Sequence, residues 1–303
     1  MYLIFDTETT GLPKKWNAPL TDSDNWPRCV QVSWQIHDIG GGLVSNRDYL
    51  IKPDGFNIPY DSERIHGIST ELAAQQGEDI NNVLNFFQAD LNNVQFIIGH
   101  NVNFDRNILG AEFLRKGKDD PFPSLKVIDT CTEETANVCQ IKGGPRGKFK
   151  FPTLTELYFI LFKDKFQEAH NATADVEATA RVFFELIRKK LIKPIVFENQ
   201  NLQTDQITKI QNTISLYGIK HKNLRLESQK LKKSSTVDKK ENLNELESLK
   251  DFPFVHLHNH TQFSVLQSTT RISQLVDATI RYKMPAVAIT DHANLMGAFH
   301  FIN

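Results

Sequence analysis

Along the chain, runs with two-residue periodicity come first and helical spacing follows. Residues 2–6, Tyr-Leu-Ile-Phe-Asp, form a short apolar run ending in an acid, the pattern of a buried strand. Residues 29–37 alternate with period two, and 43–51 resume the alternation after Gly40-Gly41-Gly42, a natural hairpin loop. These three segments predict an antiparallel meander. The spacing then changes: Ile80, Val83, Leu84, Phe87 and Leu91 share one face of a helix over 79–91. A strand at 94–98, a helix at 103–116, a strand at 126–128 and helices at 153–162 and 174–191 complete the series. Strands followed by β-α-β-α segments predict a mixed α/β layer arrangement.

Residues 196–250 depart from this pattern. Gln, Asn, Lys and Ser rise, 203–217 can form one amphipathic helix, and 220–240 hold eight Lys/Arg against Glu227 and Asp238. A solvated, charged linker is the plainer reading of the stretch, and a nucleic-acid-contacting tether is the alternative. Beyond Asp251 the chain turns globular again, with strand patterns at 254–260 and 286–292 around a helix at 271–283. The expected organisation is therefore 1–192, a linker over 193–250, and a β-α-β opening over 251–303. Asn303 falls inside an expected helix, so that last module is expected to be incomplete.

Composition narrows the function classes. A 40% hydrophobic content supports a packed core, while a net charge of −1 supplies no overall basic field. Cys29, Cys131 and Cys139 are too few and too scattered for a disulfide frame and predict free thiols. The N-terminus has no basic leader and no long apolar stretch, so neither a signal peptide nor a membrane partner is expected, and the expected location is cytoplasmic.

Three acidic stretches carry the chemistry: Phe5-Asp6-Thr7-Glu8-Thr9-Thr10-Gly11-Leu12, His100-Asn101-Val102-Asn103-Phe104-Asp105 and His170-Asn171-Ala172-Thr173-Ala174-Asp175. Asp6 and Glu8, two apart on a strand, share one face. Asp105 and Asp175 each fall in the first turn of a helix, where a helix dipole alone also favours an acid. Four carboxylates gathered at one point repel one another unless cations neutralise them, so the set is a candidate site for two hard divalent metals acting on a phosphodiester.

With Thr9-Thr10-Gly11-Leu12 beside the first pair and His170 five residues before Asp175, residues 1–190 resemble the proofreading 3′→5′ exonucleases of the DEDD group, in the subgroup whose third motif is His, four residues, then Asp. The resemblance implies a ribonuclease H-like α/β fold, a mixed sheet flanked by helices. It makes Asp6, Glu8, Asp105 and Asp175 ligands of two Mg²⁺ or Mn²⁺ ions and His170 the general base. An imidazole, which titrates near neutrality, suits that role. The resemblance also puts His66 near a terminal nucleotide and Asp129 behind the ligands. Thr7, Leu12 and Phe104 flank the acids as substrate-contacting candidates, with core packing the plainer reading. Residues 142–150, with four cations and no acid, are a candidate phosphate-holding loop. Residues 13–28, carrying Trp16, Trp26, Asp22 and Asp24, form an insertion suited to a lid or a partner surface.

His256, His258 and His260 alternate on one strand, and Asp291-His292 end the next, a pattern that favours metal ligation by Zn²⁺ or a similar ion. With Ser264 and Thr290 they resemble the opening of a PHP domain, the N-terminal module of bacterial DNA polymerase III α subunits. The combined resemblance implies a DNA 3′ end, single-stranded or frayed, as substrate, and the polymerase III core or the rest of the same polypeptide as partner. An RNA-trimming exonuclease and a non-catalytic polymerase tether are the competing readings.

Overall fold

The computed structural model describes residues 1–166, 170–191, 222–238, 255–264, 267–292 and 295–302. It divides into two compact units, residues 1–234 and 235–303. The helix expected at 203–217 lies outside the described residues.

The first unit is built on a five-stranded mixed sheet: β1 Tyr2–Thr9, β2 Cys29–His37, β3 Leu43–Leu50, β4 Phe96–Gly99 and β5 Lys126–Asp129, in the order β3-β2-β1-β4-β5. β1, β2 and β3 pair antiparallel, as the hairpin signals predict, whereas β4 and β5 run parallel to β1. The helices are α1 Tyr60–His66, α2 Thr70–Gln76, α3 Ile80–Leu91, α4 Asn103–Arg115, α5 Glu133–Cys139, α6 Leu154–Phe162 and α7 Ala172–Arg188. The seven-residue helices α1, α2 and α5, about two turns each, lack a long apolar period, and local pattern does not predict them. β1 continues to Thr9, three residues past the expected end, so Glu8 belongs to a regular strand.

Alternation along β1 divides the core. Leu3 and Phe5 face one layer with Trp34, Phe87 and the α4 residues Ile108 and Leu109. Tyr2 and Ile4 face the opposite layer with Val176, Ala180, Phe183 and Phe184 of α7. Continued past Phe5, the same alternation aims Asp6 and Glu8 at α7 and Thr7 at α4. β2 is buried over its whole length, including Gln31, Ser33, Gln35 and His37. These polar groups are used: Gln31 Oε1 accepts from Ala172 N at 3.2 Å and Gln31 Nε2 donates to Asn171 Oδ1 at 3.3 Å, tying the start of α7 to the sheet.

The insertion 13–28 is folded onto the same unit. Asn25 exchanges two hydrogen bonds with the Lys15 backbone, at 2.7 and 3.0 Å, and Trp26 is buried with its indole N–H donated to Pro19 O. The base of the insertion is gripped by α4. Glu112, 1% exposed, accepts from Cys29 N, Arg28 Nε and Arg115, and Arg115 also donates to the carbonyls of Ser23 and Trp26.

A further helix, α8 Leu224–Asp238, lies within the stretch expected as a helical, charged linker over 193–250. Leu224 joins Val30, Ile58, Ile68 and Leu72 in a small core, and Ser228 Oγ donates to Gly67 O while accepting from Ser69 N. Gly67, at φ +79°, ends α1; a Cβ there would stand 2.9 Å from Arg225 Cα, so glycine permits the close seat. A polar, lysine-rich stretch docks because a few residues on one face, not its average composition, meet the apolar surface.

The second unit contains α9 Ile272–Arg281 and α10 Met296–Ile302. The expected strands reduce to one parallel bridge, His256 with Val287. Asp291 organises the neighbourhood, accepting from Thr261 N, Thr261 Oγ1 and Ser264 Oγ. No helix among the described residues is long and apolar enough to cross a membrane.

Candidate active site

At the C-terminal end of β1 the three acidic stretches converge. Asp6 and Glu8 come from the strand, and Asp175 comes from the first turn of α7, positioned by Asn171, whose side chain caps the helix by accepting from Thr173 N. One ligand oxygen from each of Asp6, Glu8 and Asp175 lies within 4.8 Å of the others, and among the described residues this is the one group of three or more such side chains so placed. Asp105 arrives from α4 on the other side of β1. Its Oδ1 accepts from Thr7 N at 2.9 Å and from Thr7 Oγ1 at 2.6 Å.

The electrostatics are those of a cation site. Burial, then the charges of Asp105, Asp175 and Glu8, push the Asp6 carboxyl well above its usual range. Burial and the charges of Asp175 and Asp105 do the same to Glu8. Asp105 is pushed up to about 7, chiefly by burial, against the two bonds from Thr7 that hold it down. Without cations, hard oxygen donors this close share protons instead of standing ionised. The donor set therefore fits Mg²⁺ or Mn²⁺, which take carboxylate oxygens.

A cavity of about 480 Å³ opens over the acids, of a size small ligands occupy. His170, Phe104 and Asn101 line it, together with Cys131, Phe151, Pro152 and the first turn of α6. His170 sits just before α7 in a left-handed conformation, φ 69°, and its backbone N–H donates to Asp175 Oδ2 at 3.0 Å. That bond leaves the imidazole free to face the cavity. His100 also lines the cavity, but its ring spans Thr130 Oγ1 and Pro152 O, both at 2.9 Å, and burial lowers its pKa. Asp129 accepts from the backbone N–H groups of Asn101, Val102 and Cys131, so it shapes the loop that launches α4.

The Exonuclease family model matches residues 3–183, well over half of the chain, and includes all three acidic stretches. The chain belongs to the exonuclease family. A PHP domain model matches residues 256–303. A 50-residue stretch of the chain is similar to DNA polymerase III subunit alpha of Mycobacterium leprae, 48% identical, covering 16% of this chain and 4% of the relative. A 48-residue stretch is 48% identical to the subunit from Aquifex aeolicus, with the same coverages. The match thus spans only about 4% of those polymerases. Among solved structures, the fold resembles exonuclease I, with TM-score 0.50 and 22% identity over 63% of this chain and 42% of that one. E. coli exonuclease I in complex with a dT13 oligonucleotide gives TM-score 0.50 and 20% identity over 68% of this chain and 45% of that one. The result is an exonuclease domain joined to a PHP segment, on a mixed five-stranded sheet flanked by helices.

Within this exonuclease domain, the structure gathers Asp6, Glu8, Asp105, His170, Asp175 and Phe104 around one cavity. Thr7 lines it too, with its hydroxyl donated to Asp105 Oδ1. Leu12 is 71% exposed and lies outside the cavity lining. His66 is buried in the wall of the fold, its Nδ1 accepting from Ile68 N at 3.1 Å, and burial drops its pKa to about 4. In the cationic loop, Lys148 is paired with Glu133 and Lys150 with Glu156, so two of its four charges are already answered.

The PHP residues are not assembled in the same way. His256, His258, His260, Asp291 and His292 do not form a three-ligand group among the described residues. The His258 and His260 rings stand edge to face at 4.8 Å, and the Asp291 carboxylate is taken up by Thr261 and Ser264. A single bridge does not enforce the alternation that would align three imidazoles.

Phe151, Pro152 and Cys131 also line the cavity, as does Asn101 from the second acidic stretch. For Phe151-Pro152 a signal existed, the aromatic-proline pair closing the cationic loop. Cys131 stands in the sequence only as a free thiol.

Proposed function

We propose that this exonuclease domain removes nucleotides from the 3′ end of DNA, releasing nucleoside 5′-monophosphates, and that it proofreads for a DNA polymerase III type polypeptide. The observation that carries the reading is the approach of Asp6, Glu8 and Asp175 to within 4.8 Å beneath a cavity one small ligand fits, with Asp105 beside them. The order of the three motifs supports the 3′→5′ direction. The similarity of a 50-residue stretch to a polymerase III alpha subunit supports the proofreading role, with the polymerase core or the remainder of the same polypeptide as partner. The oligonucleotide held by E. coli exonuclease I supports a single-stranded or frayed DNA end as substrate.

In this mechanism Asp6, Glu8, Asp105 and Asp175 would hold divalent cations, Mg²⁺ or Mn²⁺, which would supply positive charge to activate an attacking water and to stabilise the leaving oxygen of a phosphodiester. Thr7 holds Asp105 in register with the other ligands. The His170 imidazole takes the proton of the attacking water, its backbone anchored through Asp175. Phe104 gives the terminal base an apolar wall.

The test is Mg²⁺-dependent shortening of a 5′-labelled primer with a 3′ mismatch, with Asp6→Ala as control and a matched RNA oligomer in parallel. Stepwise loss from the 3′ end by the wild type alone is the expected result. Equal activity in both proteins sinks the assignment, and faster trimming of the RNA redirects it to an exoribonuclease.

A further inference from the structure

The insertion over 13–28 has no part in the carboxylate site, yet it brings an aromatic ring to the edge of that site. Trp16 is 58% exposed, and its ring centroid lies 5.9 Å from that of Phe104 at an interplanar angle of 52°. Phe104 lines the cavity over the acids, so the indole extends the apolar wall outward from the position of a terminal nucleotide. Lys14 and Lys15 immediately precede it, both exposed, and among the described residues neither has a carboxylate partner. The insertion's acids, Asp22 and Asp24, fall instead in the turns that follow Pro19.

The loop is built to hold this ring in place. Lys15 is clamped on both backbone atoms by Asn25, Lys14 N donates to Asn25 O, and Arg115 ties the return strand to α4 through Ser23 and Trp26. An exposed indole on a mobile loop would lose much of its binding free energy to ordering; one fixed from beneath loses less. A ring with a free face, flanked by unpaired cations and continuous with a nuclease cavity, is the composition of a single-strand binding platform, in which bases stack and phosphates meet lysines.

We propose that Trp16 is a stacking site for a base of single-stranded DNA on the 5′ side of the terminal nucleotide, with Lys14 and Lys15 facing the adjoining phosphates. The inference rests on the 3′-exonuclease reading of the cavity. It makes the insertion a substrate-binding element that favours strands several nucleotides long over a lone terminal nucleotide.

The test uses the full chain and its own fluorescence. Trp26 and Trp34 are buried, at 3% and 0% exposure, so Trp16 is the tryptophan a strand can reach. Titration with a dT oligonucleotide in EDTA, which prevents hydrolysis, should quench the wild type and leave Trp16→Phe unquenched. Trp16→Ala should weaken oligonucleotide binding by roughly tenfold, with Trp16→Phe recovering most of the loss. In Mg²⁺ the same loss should appear in KM and not in kcat. It should vanish with the p-nitrophenyl ester of thymidine 5′-monophosphate, which is too short to reach Trp16. Equal oligonucleotide affinity and KM for wild type and Trp16→Ala, both melting at the wild-type temperature, overturns the stacking site while leaving the exonuclease reading intact. A wild type that neither binds nor cleaves DNA overturns both.

Discussion

Thr7 donates both its backbone N–H and its hydroxyl to one oxygen of Asp105, at 2.9 and 2.6 Å. The strand that carries Asp6 and Glu8 on one face thereby grips, from its other face, a carboxylate supplied by α4. The distance between acids from different elements is set by this bond as much as by the helix packing behind it.

Thr7→Val keeps the shape and the backbone donor but deletes the hydroxyl. Residues that orient a metal ligand typically contribute about 10- to 100-fold to metal affinity or activity. Mg²⁺-dependent hydrolysis should fall by that order, with the loss partly relieved at high Mg²⁺. The melting temperature should drop by only a few degrees, as expected for about 1 kcal/mol lost with one hydrogen bond. Unchanged kinetics would show that the N–H alone holds Asp105.

Asp6→Asn should separate stability from function. Burial and three neighbouring carboxylates push Asp6 well above its usual range, so its charge opposes folding in the absence of cations. In EDTA at pH 8 the variant should melt higher than the wild type by several degrees, on the order of 1–2 kcal/mol. It should also be inactive and gain no further stability from Mg²⁺. Differential scanning calorimetry with and without metal checks both halves.

The same shifts set the pH dependence. Asp6, Glu8 and Asp105 hold protons in the folded state at pH values where the unfolded chain has released them, Asp105 up to about 7. Their favourable contribution is therefore full below the ordinary carboxylate range and is lost as pH rises through their raised folded-state values, for Asp105 through about 7. Cations compete with those protons. The rise in melting temperature on adding Mg²⁺ should be small at pH 5 and grow steadily to pH 8. A pH-independent rise would contradict a shared carboxylate site.

Arg115→Ala strikes the base of the insertion. The change leaves Glu112, 1% exposed, with Arg28 as its one ionic partner among the described residues and frees the carbonyls of Ser23 and Trp26. Removing one partner of a buried pair costs about 3 kcal/mol. Limited proteolysis should then cut between Lys14 and Asp24 well before the rest of the domain, whereas the wild-type insertion should resist.

Much of the site is legible from local pattern. The apolar run over 2–6, continued as a strand, places Asp6 and Glu8 on one face, and the starts of α4 and α7, the latter capped by Asn171, carry Asp105 and Asp175 in their first turns. These are short-range properties, set by backbone geometry within one element. The weak short helices α1, α2 and α5 escape because seven residues of mixed character hold no clear period.

The amino-acid sequence alone thus determined which residues carry charge and which face of its own element each occupies. Tertiary structure decided what those faces meet: that Thr7 reaches Asp105, that Trp16 rests beside Phe104, and that Arg225 and Ser228 seat a lysine-rich helix on Gly67. The physical reason is range. Periodicity and capping act over a few residues of one chain segment, whereas the site's distances arise where β1, α4 and α7 pack from opposite sides of the sheet. That packing joins positions as far apart as Asp6 and Asp175.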